Sequence, residues 1–82
     1  MSVAERLRAI WVESLRVEGV RDTDNFAELG GDSIAATLCV TQVASEFDIE
    51  VPLTVLLLED AQFLTFVSEV ERLIASAPAL NE

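Results

Sequence analysis

The sequence predicts an all-α protein, a small four-helix bundle with three long helices, one short helix and a long first loop. Three observations lead there. Three separate stretches repeat apolar residues every three or four positions, which marks one buried helix face. Glycine, proline and aspartate punctuate the chain between those stretches, at Gly19, Gly30-Gly31-Asp32, Pro52 and Asp60. The chain has 82 residues, 51% of them apolar, enough for one modest core and too many for a disordered segment.

The first helix is expected from Ser2 to Val17. Ser2 and Glu5 have the spacing of a capping box. Val3, Leu7, Ile10, Trp11 and Leu15 follow at helical period, and Gly19 marks the end. Residues 18–32 hold no sustained period. A structureless stretch of that length is unusual in so short a domain and is often functional. Val20, Phe26 and Leu29 are its only large apolar groups and are expected to pin it to the core, with a helical turn over Asp24 to Leu29.

Asp32 is the expected cap of a second helix, Ser33 to Phe47. Ala36, Cys39, Val40, Val43 and Phe47 form its buried stripe, and Thr37, Thr41, Ser45 and Glu46 its wet side. Ile34 and Leu38 make a separate i,i+4 pair beside that stripe. Pro52 then breaks the pattern. Leu53 to Leu58 reads as a short third helix, and a buried strand fits the same letters almost as well. Asp60 is expected to cap a last helix from Ala61 to Ser76, with Phe63, Phe66, Val67, Val70, Leu73 and Ile74 on its apolar face. The tail, 77–82, is expected to fray. The whole of 1–82 reads as one domain.

Composition excludes several function classes. Fifteen acids face five arginines, with no lysine or histidine, for a formal charge of -10. Such a surface repels nucleic acid and anionic membranes and attracts basic partner faces. The absence of histidine removes Ser-His and Cys-His catalysis and the commonest metal ligand. No metal site and no catalytic residue is expected. One cysteine, Cys39, rules out an internal disulfide framework. No apolar run is long enough to span a bilayer and no signal peptide is legible, so a cytosolic monomer is the default expectation.

One residue stands out. In Leu29-Gly30-Gly31-Asp32-Ser33-Ile34 a serine hydroxyl falls on the first turn of a helix, after two small residues and a cap. Free amide hydrogens and the dipole favour a phosphodiester there. Gly30 and Gly31 leave the hydroxyl uncrowded, and no basic side chain lies nearby in sequence to activate it. Such a serine is more readily acted upon than acting.

At this point the chain resembles the acyl and peptidyl carrier protein superfamily, in particular the phosphopantetheine-binding thiolation domains of nonribosomal peptide synthesis. The likeness rests on Asp24 to Ile34 (DNFAELGGDSI), on Phe47 to Leu53 (FDIEVPL) and on the apolar helix beginning near Phe63. The resemblance implies that Ser33 carries 4′-phosphopantetheine derived from coenzyme A and attached by a separate phosphopantetheinyl transferase. Leu29, Gly30, Gly31, Asp32 and Ile34 would form the attachment motif that the transferase recognises, and Asp32 would add a transferase contact to its capping role. The arm's thiol would hold an aminoacyl or related acid as a thioester. An adenylation or acyl-loading enzyme and condensation or tailoring enzymes would be the other partners. Gly31 matches the peptidyl pattern, with acyl, aryl and D-alanyl carriers as alternatives and an unmodified helical interaction module as a remote one. Ile34 and Leu38 are the expected partner-docking pair. The chain departs from the family's habit at Leu38, where a polar residue is common, and at Gln62, where a threonine cap is usual.

Overall fold

The structure is a computed structural model that describes residues 2–57 and 61–76. Four helices follow one another: α1 (Val3–Leu15), α2 (Ser33–Phe47), α3 (Thr54–Leu57) and α4 (Phe63–Ser76). α1 packs against both α2 and α4, and α3 packs against α2. The all-α architecture expected from the apolar periodicity is the one observed.

The start of α1 is the expected capping box: Ser2 Oγ accepts from the Glu5 amide, and Glu5 Oε1 accepts from the Ser2 amide. Its end differs from expectation. Arg16 terminates the helix in the left-handed region at φ 58°, and its N–H donates to the Val12 carbonyl. Gly19 has no part in the stop. The buried face also includes Ser14, a polar residue that periodicity in apolar residues passes over.

From Arg16 the chain enters the long loop, which α1 itself holds. The Arg8 guanidinium donates to the Val20 carbonyl, pairs with Asp22 Oδ1 at 2.6 Å and lies 4.4 Å from the centre of the Phe63 ring. Val20 and Phe26 are buried and Leu29 is half-buried, as expected of loop anchors. Over Asn25–Gly30 the chain makes one helical turn, with Leu29 N–H donating to the Asn25 carbonyl at 3.1 Å. Asn25 Oδ1 organises the start of that turn by accepting from the Ala27 and Glu28 amides.

α2 begins and ends where the sequence places it. The Asp32 carboxylate accepts from the Ala35 amide at 2.9 Å, and Asp48 closes the helix in the left-handed region at φ 57°. Ala35, Ala36, Cys39 and Val43 are buried, whereas Val40 and Phe47 lie at the core's edge. The segment after Pro52 is helical, which removes the strand alternative; α3 is shorter than expected because Leu53 lies in the turn before it. Leu58 lies outside the described residues.

α4 starts two residues later than expected. Ala61 and Gln62 are drawn into backbone pairing with the long loop instead. The Phe26 amide donates to the Ala61 carbonyl at 3.0 Å, and the Phe63 amide donates to the Asp24 carbonyl at 2.9 Å. The Leu64 amide finds the Asp22 carbonyl at 3.2 Å. Loop carbonyls therefore satisfy first-turn donors of α4, the task expected of Asp60, which lies outside the described residues. Residues 77–82, the expected frayed tail, are outside them too, and α4 runs to Ser76 as expected.

The centre of the core is aromatic. The Trp11 ring meets Phe26 at 5.0 Å and Phe63 at 5.2 Å, both edge-on, and Phe66 at 5.6 Å. All four side chains are buried, and they come from α1, the loop and α4. Edge-to-face pairs of this kind add to the burial of the rings themselves. Phe26→Ala leaves a cavity under the loop and is expected to destabilise the domain by about 3–5 kcal/mol, read as a lowered urea midpoint.

Candidate functional site

The geometry around Ser33 is built by the loop that precedes it. Phe26 is buried, so the turn after it must climb back to the surface within a few residues. Gly30 makes this possible at φ +95°, a conformation that a side chain rarely tolerates. Gly31 follows with its N–H on the Phe26 carbonyl at 2.9 Å. A Cβ on Gly31 would lie 2.3 Å from the Phe26 ring. The expectation that both glycines are kept bare to leave the hydroxyl uncrowded is therefore corrected. Gly31 gives room to Phe26, and Gly30 supplies a backbone angle; a Cβ on Gly30 would meet nothing within 4 Å.

Asp32 then turns the chain into α2. Its extended backbone and its carboxylate bond to the Ala35 amide complete the cap. Ser33 is the first residue of α2 and is exposed. Thr37 Oγ1 donates to the Ser33 carbonyl at 2.7 Å and ties the first turn together. Ile34 and Leu38 are also exposed, at 70% and 49%, so both lie outside the core as expected of that pair. Leu29 is half-buried and supports the turn from below.

The residues that the sequence singled out thus fall together on one surface at the N-terminal end of α2. They fit a phosphate ester. The hydroxyl faces solvent at a helix N-terminus, where the macrodipole favours an anion. A groove of about 240 Å³ runs between the end of α1 and the start of α2, lined in part by Arg16, Ile34, Leu38 and Asp32, the residue before Ser33. Arg16 was not singled out in the sequence. It lies far from Ser33 along the chain, and only the packing of α1 on α2 brings the two regions together.

No group of three or more His, Cys, Asp or Glu is placed to hold a metal ion among the described residues. Cys39 is buried, and loss of solvation pushes its thiol up to about 12, so it stays protonated and is a core residue. Among the described residues no helix is long and apolar enough to cross a membrane.

The fold and site define a helical bundle that presents an exposed serine on a built turn at the N-terminus of α2. Comparison with known proteins agrees: residues 5–68 match the family described as "Phosphopantetheine attachment site", and the chain belongs to that family. Proteins of this family are modified by a separate enzyme, and their prosthetic group is phosphopantetheine. The chain is 46% identical over 52 residues to tyrocidine synthase 3 of Brevibacillus parabrevis, and 47% identical over 51 residues to gramicidin S synthase 2 of Brevibacillus brevis. These matches take in 63% and 62% of the chain and about 1% of the length of either relative. Among solved structures, the chain is similar to one in the complex of the phosphopantetheine transferase Sfp with coenzyme A and a peptidyl carrier protein. That likeness has a TM-score of 0.79 at 30% identity, over 88% of this chain and 92% of the other. BlmI, a type-II acyl carrier protein from Streptomyces verticillus, is similar with a TM-score of 0.77 at 31% identity, over 85% of this chain and 83% of its own.

The two roles of Asp32 can be separated. Asp32→Ala removes the cap and is expected to cost about 1 kcal/mol, seen as a lower melting temperature. Asp32→Asn keeps a capping oxygen and is expected to melt close to the parent. If Asp32 also contacts the transferase, the Asn variant is modified more slowly despite its intact fold. Modification at the parent rate would leave capping as its only role.

Proposed function

We propose that this chain is a peptidyl carrier domain in which Ser33 bears a 4′-phosphopantetheine arm. The observation that carries this reading is an exposed serine hydroxyl on a capped helix N-terminus, raised there by Gly30, Gly31 and Asp32. Its position inside the matched family region, and the likeness to peptide synthetases, support the same reading. When bound, the arm supplies a thiol that holds an aminoacyl or related acyl group as a thioester. The chain supplies the anchoring oxygen, a fixed direction for the arm and a surface for partners. With no histidine or lysine in the chain, the Ser33 proton leaves to a base on the transferase.

The proposed partners are a phosphopantetheinyl transferase using coenzyme A, an adenylation or other acyl-loading enzyme, and condensation or tailoring enzymes. The proposed setting is the cytosol, and the proposed unit is a single monomeric carrier domain. Ile34 and Leu38, exposed on the first turns of α2 next to Ser33, form the proposed docking patch. Small apolar clusters of this kind suit transient contacts. The surplus negative charge favours encounter with basic partner faces.

Incubation with coenzyme A and a broad-specificity transferase is expected to add one phosphopantetheine per chain, read by intact mass. Ser33→Ala is expected to abolish the addition, and labelling that survives in the alanine variant would overturn the assignment.

A second test addresses docking. Leu38→Ala is expected to leave the melting temperature nearly unchanged and to lower turnover by a cognate loading enzyme several-fold. A large loss of stability with unchanged turnover would make Leu38 a structural residue instead.

A further inference from the structure

The chain reaches Ser33 through two caps that abut. The Gly30 amide donates to the Ala27 carbonyl at 3.0 Å, and the Gly31 amide donates to the Phe26 carbonyl at 2.9 Å. These are the two bonds that close a helical turn, with Gly30 as its left-handed residue. The next residue, Asp32, is already the cap of α2. No spare residue separates the two caps, so whatever fixes Gly31 also fixes where α2 and Ser33 begin. In turns closed this way, the residue in the place of Gly31 often packs a side chain back onto the residue in the place of Phe26. Here the roles are exchanged: the ring comes from Phe26, and Gly31 receives it. The three atoms nearest to a Cβ on Gly31 all belong to Phe26, two ring carbons within 2.5 Å and the carbonyl oxygen at 2.6 Å. The ring is fully buried and held edge-on to Trp11 at 5.0 Å. A side chain at 31 therefore moves the turn and not the ring.

We infer that Phe26 and Gly31 are a positioning pair for the modification of Ser33, with Phe26 acting through the Gly31 backbone to place the serine hydroxyl. The inference rests on the Ser33 reading above. In that reaction the serine oxygen bonds to the phosphorus that bears the pantetheine. The phosphoanhydride bond of coenzyme A breaks, adenosine 3′,5′-bisphosphate leaves, and the serine proton goes to a base on the transferase. Displacements of this kind depend on the line of approach of the attacking oxygen. No histidine or lysine of this chain activates the hydroxyl, so placement is what the chain contributes. The Asp32 cap and the Thr37 bond to the Ser33 carbonyl make the first turn of α2 stiff. A shift at Gly31 is therefore passed on to Ser33 and not absorbed. The pair also sets what position 31 accepts: glycine above a phenylalanine, and a larger residue only above a smaller one.

The test compares the transferase reaction on the parent, Gly31→Ala, Phe26→Leu and the double variant. Intact mass counts the arms, and thermal melts establish that each variant is folded at the assay temperature. Gly31→Ala is expected to lower kcat about tenfold, the scale of a small misplacement of a reacting atom. KM should stay near the parent's, because the exposed Ile34 and Leu38 are untouched. Phe26→Leu keeps an apolar side chain in the core but loosens the floor under Gly31, and is expected to lower kcat about threefold. That variant tests the pair even if Gly31→Ala does not fold. A leucine branch can turn away from the new methyl group, so the double variant is expected to be modified about threefold faster than Gly31→Ala alone. The remaining contact with the Phe26 carbonyl keeps the recovery partial. The amide signals of Asp32 and Ser33 should move in Gly31→Ala and return partway in the double variant, a recovery that a merely weakened fold would not give. Parent kcat in either single variant, or losses that simply multiply in the double variant, would overturn the inference and leave the Ser33 reading intact. Absence of the added mass on the parent chain would sink both.

Discussion

The packing of Phe26 against Trp11 is the contact on which the rest of this domain depends. The loop carries few large apolar groups, and this one reaches the centre of the core. Once the ring is buried, backbone bonds from Phe26 to Ala61 and from Phe63 to Asp24 stitch the loop to the start of α4. The same ring fills the space above which Gly31 passes, so the path of the chain toward Ser33 is set from beneath. A long loop that would otherwise pay heavily in conformational entropy is thereby held in one shape. The direction in which the serine points is a consequence of core packing.

Polar groups finish what the ring begins. Asn25 caps the turn, Gly30 reverses it, and Asp32 opens α2. Each contributes only on the order of 1 kcal/mol, and together they leave the hydroxyl one placement on a rigid helix. A carrier needs little more from its own residues, because the chemistry belongs to the arm and to the enzymes that visit it. The scarcity of titratable groups other than carboxylates is in keeping with that division of labour.

The arginines show how an acidic chain spends its few cations. Arg6 joins α1 to the far end of α2 through Glu46, and Arg72 pairs within α4. Both pairs are exposed, and pairs of this type contribute about 0–1 kcal/mol. Arg8 does more, because one guanidinium engages a loop carbonyl, a loop carboxylate and an aromatic face at once. Arg16 and Arg21 make no ion pair among the described residues, Arg16 lying at the end of α1 beside the start of α2 and Arg21 in the long loop.

The sequence by itself determined the helices, the α2 cap and the surface pair, because those depend on local period and local hydrogen bonding. Asp32 through Phe47 is legible for that reason, as are the capping box at Ser2 and the exposure of Ile34 and Leu38. Only the tertiary structure decided where α1 stops and α4 starts. Arg16 enters the left-handed region as the chain leaves for the loop that Arg8 holds, and Ala61 and Gln62 leave the helix because loop backbone competes for them. The reasons for Gly31 and the placement of Ser14 and Arg16 were likewise hidden. Each depends on a contact between segments distant in the chain, and spacing along one helix carries no information about what packs against its end.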